Sequence, residues 1–385
     1  MATAPPPHDL PGVSRVAVFG NVAQASRDWA ALEAESPASA YQTRGFAVPW
    51  LEHMSVVDGA RPMIVVAYDA ADRPLLLAPF VVRRRGPLRV ALYAGAKHSN
   101  LNMPLVRPGF DLDAAAARRL LAAGARAAPE RPNLFVLLNQ PRVWNGAPNP
   151  FARLSGRASP SDAFGATFGD SVDAFLARAD SKAARKKLKS KAAKLAELGP
   201  VRCERAGTPE RARTILAAFV EQKTARFSQK NKDAGVSGVA ARAFFDSLAT
   251  ATTPPALDLY ALLAGERIVA TYAGLPRGRH WHGLFNSFAN APDIARASPG
   301  DLLLRALLRD LGARGFSGFD LGVGEARYKS AICDERIELV DVVAPVDAAG
   351  AVWAGLERAR LDLKRRIKHT PWALAFAERM RAGPF

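Results

Sequence analysis

Apolar and polar positions in the first half of the chain follow the periods of helices and strands. An Ala/Glu-rich stretch around Trp29 has helical spacing, and β-branched or apolar runs bounded by turn residues predict strands. The predicted elements are a helix, a three-stranded meander, a second helix and a further strand, over 29–35, 61–68, 74–82, 88–93, 112–127 and 134–138. This order predicts a mixed α/β domain.

The second half repeats the order of helix, three-stranded meander, helix and strand. Its predicted elements, with one additional strand and one additional helix, cover 201–204, 209–226, 239–249, 257–263, 268–274, 280–285, 302–311 and 318–321. The helix over 302–311 is strongly amphipathic, with four leucines on one face. Because the two halves have no obvious residue identity, the repeated order indicates an old duplication.

Composition divides the chain further. Residues 139–170 are rich in Pro, Gly, Ser and Asn and lose hydrophobic periodicity, which is typical of a connection. We therefore expect an α/β (α+β) fold of two tandem domains, each with a mixed, mainly antiparallel sheet flanked by helices. The expected divisions are an N-terminal domain, a connection with a basic helix, a C-terminal domain and C-terminal amphipathic helices, over 1–165, 166–200, 201–345 and 346–385. The last helix is predicted to break at Pro371 and to resume with Trp372, Phe376 and Met380.

Charge predicts an anionic partner. The 385 residues carry a formal net charge of +17, and the segment 182–194 holds seven positive charges and no acid. Nucleic acid, an acidic membrane surface, a polyanionic polymer and a phosphorylated cofactor all fit this excess. The basic segment has no aromatic residue for stacking on bases, so a solvated helix and a helix that contacts RNA or lipid both stay open.

Other features narrow the class of protein. Two distant cysteines indicate neither a disulfide framework nor a zinc cluster, and the sequence shows no leader or spanning segment, so we expect a cytoplasmic protein. Gly322-Val-Gly324 lacks the third glycine of a dinucleotide fingerprint. Because nucleophile-elbow, HExxH and Walker A patterns are absent from the sequence, hydrolase and NTPase functions have no support.

Several short patterns resemble one superfamily. They are the basic helix ending in Lys194-Leu-Ala-Glu-Leu-Gly199, Phe219-Val-Glu-Gln-Lys223, Ser298-Pro-Gly-Asp-Leu-Leu303, and Phe319-Asp-Leu-Gly322 followed by Tyr328-Lys329. With the element order, they resemble the GNAT acyltransferase superfamily, in the tandem-domain branch related to FemABX proteins and to cellulose-biosynthesis-type acetyltransferases. The resemblance is best over 180–345. It implies a GNAT-like C-terminal domain, and the repeated element order extends this expectation to an N-terminal GNAT-like domain, with a degenerate copy as an open alternative.

The resemblance implies acyl transfer from acetyl-CoA or another acyl-CoA to an amine or hydroxyl. Ser298 is the expected N-cap of the leucine helix, and Gly300 would let a phosphate approach the helix N-terminus. Arg296 and Lys329 are the expected cationic partners of the cofactor, with Asp301 as an opposing charge. The expected acceptor is an amino sugar, a polysaccharide precursor or a related small amine. An aminoacyl-tRNA donor, or a non-enzymatic polyanion-binding role on a decayed acyltransferase fold, are the alternatives.

Candidate catalytic residues lie late in the sequence. Tyr328 could protonate the leaving thiolate, and Glu325 could orient the amine or accept its proton. Alternation places His280 and His282 on one face of a strand and Trp281 on the other, and His282 is a candidate base. We expect no metal site, because the sequence near the two histidines shows no third ligand.

Overall fold

The computed structural model describes residues 2–4, 10–57, 59–228, 236–251 and 257–370. The predicted helix with Trp372, Phe376 and Met380 lies outside these ranges. Strands and helices before residue 163 are β1 (Ala2–Ala4), β2 (Arg15–Phe19), α1 (Val22–Glu35), α2 (Arg44–Val57), β3 (Arg61–Tyr68), β4 (Pro74–Arg85), β5 (Leu88–Tyr93), β6 (Leu105–Val106), α3 (Ala114–Ala127), β7 (Leu134–Pro141), β8 (Val143–Trp144), β9 (Ala147–Pro148) and β10 (Arg157–Ala158).

The remaining elements follow in chain order. They are β11 (Ala163–Thr167), α4 (Val172–Ala179), α5 (Lys182–Ala196), β12 (Val201–Arg205), α6 (Pro209–Ser228), α7 (Val239–Thr250), β13 (Asp258–Ala264), β14 (Arg267–Arg277), β15 (His280–Phe288), α8 (Pro292–Arg296), α9 (Pro299–Ala313), β16 (Gly318–Val323), α10 (Arg327–Ile332), β17 (Glu335–Ile337), β18 (Leu339–Pro345) and α11 (Ala348–His369). The chain forms two compact units, one of residues 1–162 with the segment that starts at Ile337, and one of residues 163–336.

The first unit is built on a mixed sheet with the order β1-β2-β3-β4-β5-β7-β18-β10, and β6 pairs with β4. Neighbouring strands are antiparallel except β5 and β7, which run parallel over two residue pairs. The Ala-rich helix α3 packs closely on the sheet, since a Cβ at Gly124 would lie 3.1 Å from the side chain of Val65. Small residues on this helix therefore set the distance between helix and sheet.

The second unit has a sheet with the order β12-β13-β14-β15-β16-β11-β17. Strands β12 to β15 form an antiparallel meander, and β16 runs parallel to β15. The predicted amphipathic helix is α9, and the four leucines of its predicted apolar face, Leu304, Leu307, Leu308 and Leu311, are completely buried in the cluster that contains Trp281 and Phe319 of the sheet. Two units with mixed, mainly antiparallel sheets flanked by helices confirm the expected fold class.

Each of the two sheets includes one strand that comes from the other half of the sequence. Strand β11 precedes the second unit's meander in sequence and pairs with β16, whereas β18 follows β16 in sequence and pairs with β7 of the first sheet. The structure thus differs from the expected divisions, which cut β11 at 165 and assigned β18 to the C-terminal domain. The basic helix α5, expected in a connection, belongs to the second unit and contacts α9. Local patterns identify a strand but not the sheet that it joins, because pairing is a long-range choice.

None of the helices in the described ranges is long and apolar enough to cross a membrane.

Candidate active site

The central strands of the second sheet separate along their length. β15 pairs with β14 from His280 to Phe288, but it pairs with β16 only over its first three residues, which face Gly318, Phe319 and Asp320. The register between β14 and β15 shifts after Ala273, so that Leu284 is an additional residue on β15. A bulge of this kind bends its strand and increases the local twist. The bend therefore begins where β15 leaves β16.

Two glycines allow this geometry. A Cβ at Gly283 would lie 2.8 Å from the carbonyl oxygen of Asp320, and a Cβ at Gly274 would lie 2.3 Å from the ring of Trp281. Both distances are too short for a side chain unless the strands move apart. Glycine is therefore required at both positions for the close approach of the three strands.

The bulge also decides which side chains face each side of the sheet. Trp281 lies among the leucines of α9. Beyond Leu284 the alternation shifts by one residue, so that Phe285 stacks on Phe219 of α6 with ring centroids 3.9 Å apart. Asn286 consequently faces the α9 side, where it meets Tyr328.

A cavity of about 300 Å³ lies beside the separated strands, at the N-terminus of α9. It is lined by Arg226, Tyr272, Asn286, Ser287, Phe288, Ala295, Ser298, Pro299, Gly300, Asp301, Ala326 and Tyr328. The structure therefore brings together three of the predicted residues, Ser298, Gly300 and Tyr328, although they come from different elements. A concave site with convergent polar groups is the usual form of a small-molecule site.

Two tyrosine hydroxyls and an amide form the polar wall of the cavity. The Nδ2 of Asn286 donates to the hydroxyl of Tyr328 at 3.1 Å. Burial raises the pKa of Tyr328, although hydrogen bonds from Asn286 and Tyr272 oppose that change. Burial also raises the pKa of Tyr272 well above its ordinary value. Both hydroxyls therefore stay protonated at neutral pH and can donate hydrogen bonds.

Ser298 occupies the N-cap position, but it does not cap the helix as expected. Its backbone is left-handed, with φ at 48°, and its side chain makes no capping hydrogen bond. The hydroxyl instead accepts from the Nζ of Lys191 at 2.7 Å, and the same ammonium lies 3.5 Å from a carboxylate oxygen of Asp301. Helix α5 is thereby tied to the start of α9, and the charge of Asp301 is offset.

The wall formed by Gly300 is open. A Cβ at this position would meet no heavy atom within 4 Å. Amides in the first turn of a helix have no intrahelical acceptor and carry a partial positive charge. Arg226 adds a full charge, with its guanidinium 4.9 Å from the ring centre of Phe288. Together with Lys191, it makes the surroundings net positive despite Asp301, which suits an anionic ligand.

Three other predicted residues do not line this cavity. Lys329 is buried, and its Nζ donates to the carbonyl oxygens of Gly322 and Val323 at 2.9 and 3.0 Å. This ammonium therefore binds the end of β16 and does not line the cavity. Arg296 is exposed and donates to the carbonyl oxygen of Pro292, and Glu325 is exposed next to the lining residue Ala326.

His282 is also outside the lining. Its side chain is almost completely buried beside Asp320, on the strand face opposite to Trp281. The predicted placement of the two histidines on one face is thus correct. Burial lowers the pKa of His282, although the nearby Asp320 opposes that change.

Sequence reasoning identified Tyr328 but missed three other polar residues that line the cavity. Tyr272, Asn286 and Arg226 lie on β14, β15 and α6 and come together only in the folded unit. Asn286 could not be assigned from alternation, because the bulge at Leu284 reverses the face. One sequence feature could have indicated Arg226, namely its position three residues after the stretch Phe219–Lys223 that resembles the superfamily.

In the first unit, a loop residue occupies the position beside the parallel strands that corresponds to the cavity of the second unit. The parallel strands β5 and β7 also pair over only two residues. Beyond them, the backbone of Asn102 donates to the carbonyl oxygen of Asn139 at 2.9 Å, and its side chain donates to the carbonyl oxygen of Leu138 at 2.9 Å. The first turn of α3 is capped by Asp113. Among the described residues of the first unit, these bonds and this cap fill the position that corresponds to the cavity at the start of α9.

Comparison with known proteins agrees with this geometry. Residues 182–330 match the family model of the acetyltransferase (GNAT) domain. No curated protein matches the chain by sequence. The matched segment lies within the second unit and includes β15, β16 and the N-terminus of α9.

Solved structures show the same fold across both units. FemX is 9% identical, with a TM-score of 0.57 and coverage of 86% of this chain and 98% of that chain. A protein of unknown function from Bacteroides thetaiotaomicron VPI-5482 is 14% identical, with a TM-score of 0.53 and coverage of 86% and 99%. The C-terminal domain of a putative lysylphosphatidylglycerol synthetase from Agrobacterium fabrum is 12% identical, with a TM-score of 0.51 and coverage of 88% and 96%. These similarities show that the fold of both units together is shared with these proteins.

Proposed function

We propose that the chain is an acyl-CoA-dependent N-acyltransferase whose donor site is the cavity at the start of α9. The observation that supports this most directly is the separation of β15 from β16 after three paired residues, beside an open helix N-terminus. A thioester-bearing arm is extended and thin, and it needs a slot of this kind between strands. We assign the acceptor to the class of amino sugars, polysaccharide precursors or related small amines, and the reaction to the cytoplasm, where acyl-CoA is available.

The anionic part of the donor is assigned to the positive end of the cavity. Gly300 offers a first-turn amide without a side chain in the way, and Arg226 and Lys191 offer cations. Phosphate oxygens are well matched by such amides and by guanidinium groups. Lys191 replaces Arg296 and Lys329 as the cation nearest to Ser298.

We assign to the polar wall the role of donating hydrogen bonds to the reacting thioester group. When the amine nitrogen attacks the thioester carbon, negative charge develops on the carbonyl oxygen and then on the departing sulfur. Hydroxyl and amide donors that are already in place stabilise such charge. Tyr328 is the best-placed donor, but a full proton transfer from it to the thiolate is uphill, since a thiol has a pKa of about 8.5 and the pKa of Tyr328 is raised. The tyrosine acts mainly as a hydrogen-bond donor.

The amine must lose a proton before or during attack. Glu325 is the better placed of the two predicted bases, because it is exposed to solvent and adjoins Ala326 in the cavity wall. His282 is buried behind the strand. We therefore assign the base to Glu325.

The experiment is an acetyl-transfer assay that follows CoA release with acetyl-CoA and a panel of amino sugars and small amines. Gly300→Leu should abolish turnover by filling the cavity. Gly355→Leu is the matched control, because Gly355 is also helical, has no positive φ and has open space around its Cβ position. Turnover that is equal in both variants would contradict the assigned donor site.

An aminoacyl-tRNA donor is the competing proposal. Its support is α5, where six cationic residues other than Lys191 are exposed, namely Lys182, Arg185, Lys186, Lys187, Lys189 and Lys194. RNA binding through these side chains would weaken steeply as salt rises. If aminoacyl-tRNA supports transfer and acetyl-CoA neither binds nor reacts, this donor replaces acyl-CoA.

A further inference from the structure

Three potential metal ligands meet at the paired end of β15 and β16. His280 and His282 are two residues apart on one strand, so their side chains share a face. The parallel register places Asp320 opposite His282 and Gly318 opposite His280. Topology therefore supplies the third ligand that the sequence around the histidines does not show.

The ligand atoms are close together. The Nε2 of His280 lies 3.2 Å from Oδ2 of Asp320, and the Nδ1 of His282 lies 2.7 Å from the same oxygen. One nitrogen from each histidine and one carboxylate oxygen all lie within 4.8 Å of one another. Ligand atoms that are each about 2.0–2.2 Å from a tetrahedral zinc ion lie about 3.3–3.6 Å apart, so a small rotation of the His282 ring away from Asp320 would open the cluster for the ion.

The surrounding backbone fixes the carboxylate. Oδ1 of Asp320 accepts from the backbone N–H of Gly322 at 3.0 Å, which leaves Oδ2 directed at the two imidazoles. Orientation of a ligand by a hydrogen bond to its other atom is a common feature of metal sites. Gly318 leaves room beside His280, since a Cβ there would already lie 3.4 Å from its Nδ1.

Burial and charge favour a cation at this point. Asp320 is 0% exposed and His282 is 1% exposed. A buried carboxylate needs a positive partner, and buried charges in proteins are paired or bind metals. His280 is 19% exposed at its side chain, so an ion and a water ligand could reach the cluster along this edge.

We propose that His280, His282 and Asp320 bind one divalent transition-metal ion, with zinc as the best match. Two imidazole nitrogens and one carboxylate oxygen form a mixed donor set that suits zinc, whereas calcium and magnesium prefer oxygen ligands alone. The ion would join β15 to β16 at the last residue pair before the strands separate. This site is distinct from the donor cavity and does not depend on the proposed acyl transfer.

The test is calorimetric titration of chelator-treated, full-length protein with zinc sulfate in a non-chelating buffer. We expect one saturable equivalent per chain and an increase in Tm with added zinc. His280→Gln should bind zinc more than about 10-fold more weakly. His369→Gln, at an exposed position at the end of α11, is the control and should bind as the wild type does.

The wild-type titration decides the question even if a variant at the buried His282 fails to fold. Absence of a saturable equivalent in the folded wild type would overturn the proposal. Equal zinc affinity in wild type and His280→Gln would overturn it too. Loss of affinity in His369→Gln alone would assign the zinc to a surface site.

Discussion

Tyr328 illustrates how one residue acquires a role only through its neighbours. Its position after a strand and loop made it a candidate from the sequence. The structure adds the bond from Asn286, the contact with Tyr272 and the burial that raises its pKa. Sequence reasoning proposed the residue, and its burial and contacts support the role of hydrogen-bond donor that we propose for it.

Tyr328→Phe should lower kcat by about 10²- to 10³-fold, the usual cost of removing a donor to developing charge. The Tm should fall by little, because the ring remains packed. Steady-state CoA release measures the effect. Tyr93→Phe, which alters another fully buried tyrosine in the first unit, should leave kcat unchanged. A kcat for Tyr328→Phe within about twofold of wild type would exclude the proposed role of this hydroxyl.

Arg226→Gln should weaken CoA binding by about 10- to 100-fold, because a charge-assisted hydrogen bond contributes about 1.5–3 kcal/mol. Calorimetry at two salt concentrations measures both the affinity and its salt dependence. Arg242→Gln, at an exposed position on α7, is the matched control. If both variants bind CoA equally well, Arg226 does not contact the donor.

At the scale of elements, local patterns predicted most strands well. The strand over 61–68 matches β3, and the strand over 88–93 matches β5, because each is a short apolar run between turn residues. Helix α2 was missed, since Pro49 interrupts its pattern. The exchange of β11 and β18 was missed for a different reason, because the partner of each strand lies more than 100 residues away.

The bulge in β15 gives an element-scale prediction. Gly274→Ala should destabilise the second unit by about 1–3 kcal/mol, because its Cβ would press into the ring of Trp281. Gly20→Ala is the control, since its Cβ position is open and its φ is not positive. Chemical denaturation with tryptophan fluorescence compares the two. Equal stability of both variants would show that β14 and β15 can move apart at no cost.

At the scale of the whole molecule, buried tyrosines make stability depend on alkaline pH. Burial raises the pKa of Tyr93, Tyr272 and Tyr328 above the value of about 10 in an unfolded chain. The folded state therefore holds protons that the unfolded state loses. Stability from these groups is complete below pH 10 and is lost as pH rises further.

We expect the denaturant concentration at the unfolding midpoint to decrease as the pH is raised above 10. Tyrosinate absorbance should rise cooperatively over the same pH range. Titration of tyrosine absorbance alongside circular dichroism tests this. A smooth tyrosine titration centred near pH 10 in the folded protein would contradict the burial of these hydroxyls.

At the scale of the whole molecule, each unit contains a mixed sheet, but within the described residues a separated pair of strands beside an open helix N-terminus is found in the second unit alone. In the first unit, Asn102 bonds to the edge of β7 and Asp113 caps α3. The repeated order of elements predicted two related domains, but the sequence did not decide whether the first copy is degenerate. Hydrogen bonds between loop and strand, which have no local sequence signature, account for the difference.

Calorimetric titration of the full-length chain with CoA tests the account most directly. One equivalent of CoA per chain, with no binding to Gly300→Leu, is the predicted result. Two equivalents would show that the first unit also opens to a donor. No binding at all by folded protein would contradict a donor arm between β15 and β16.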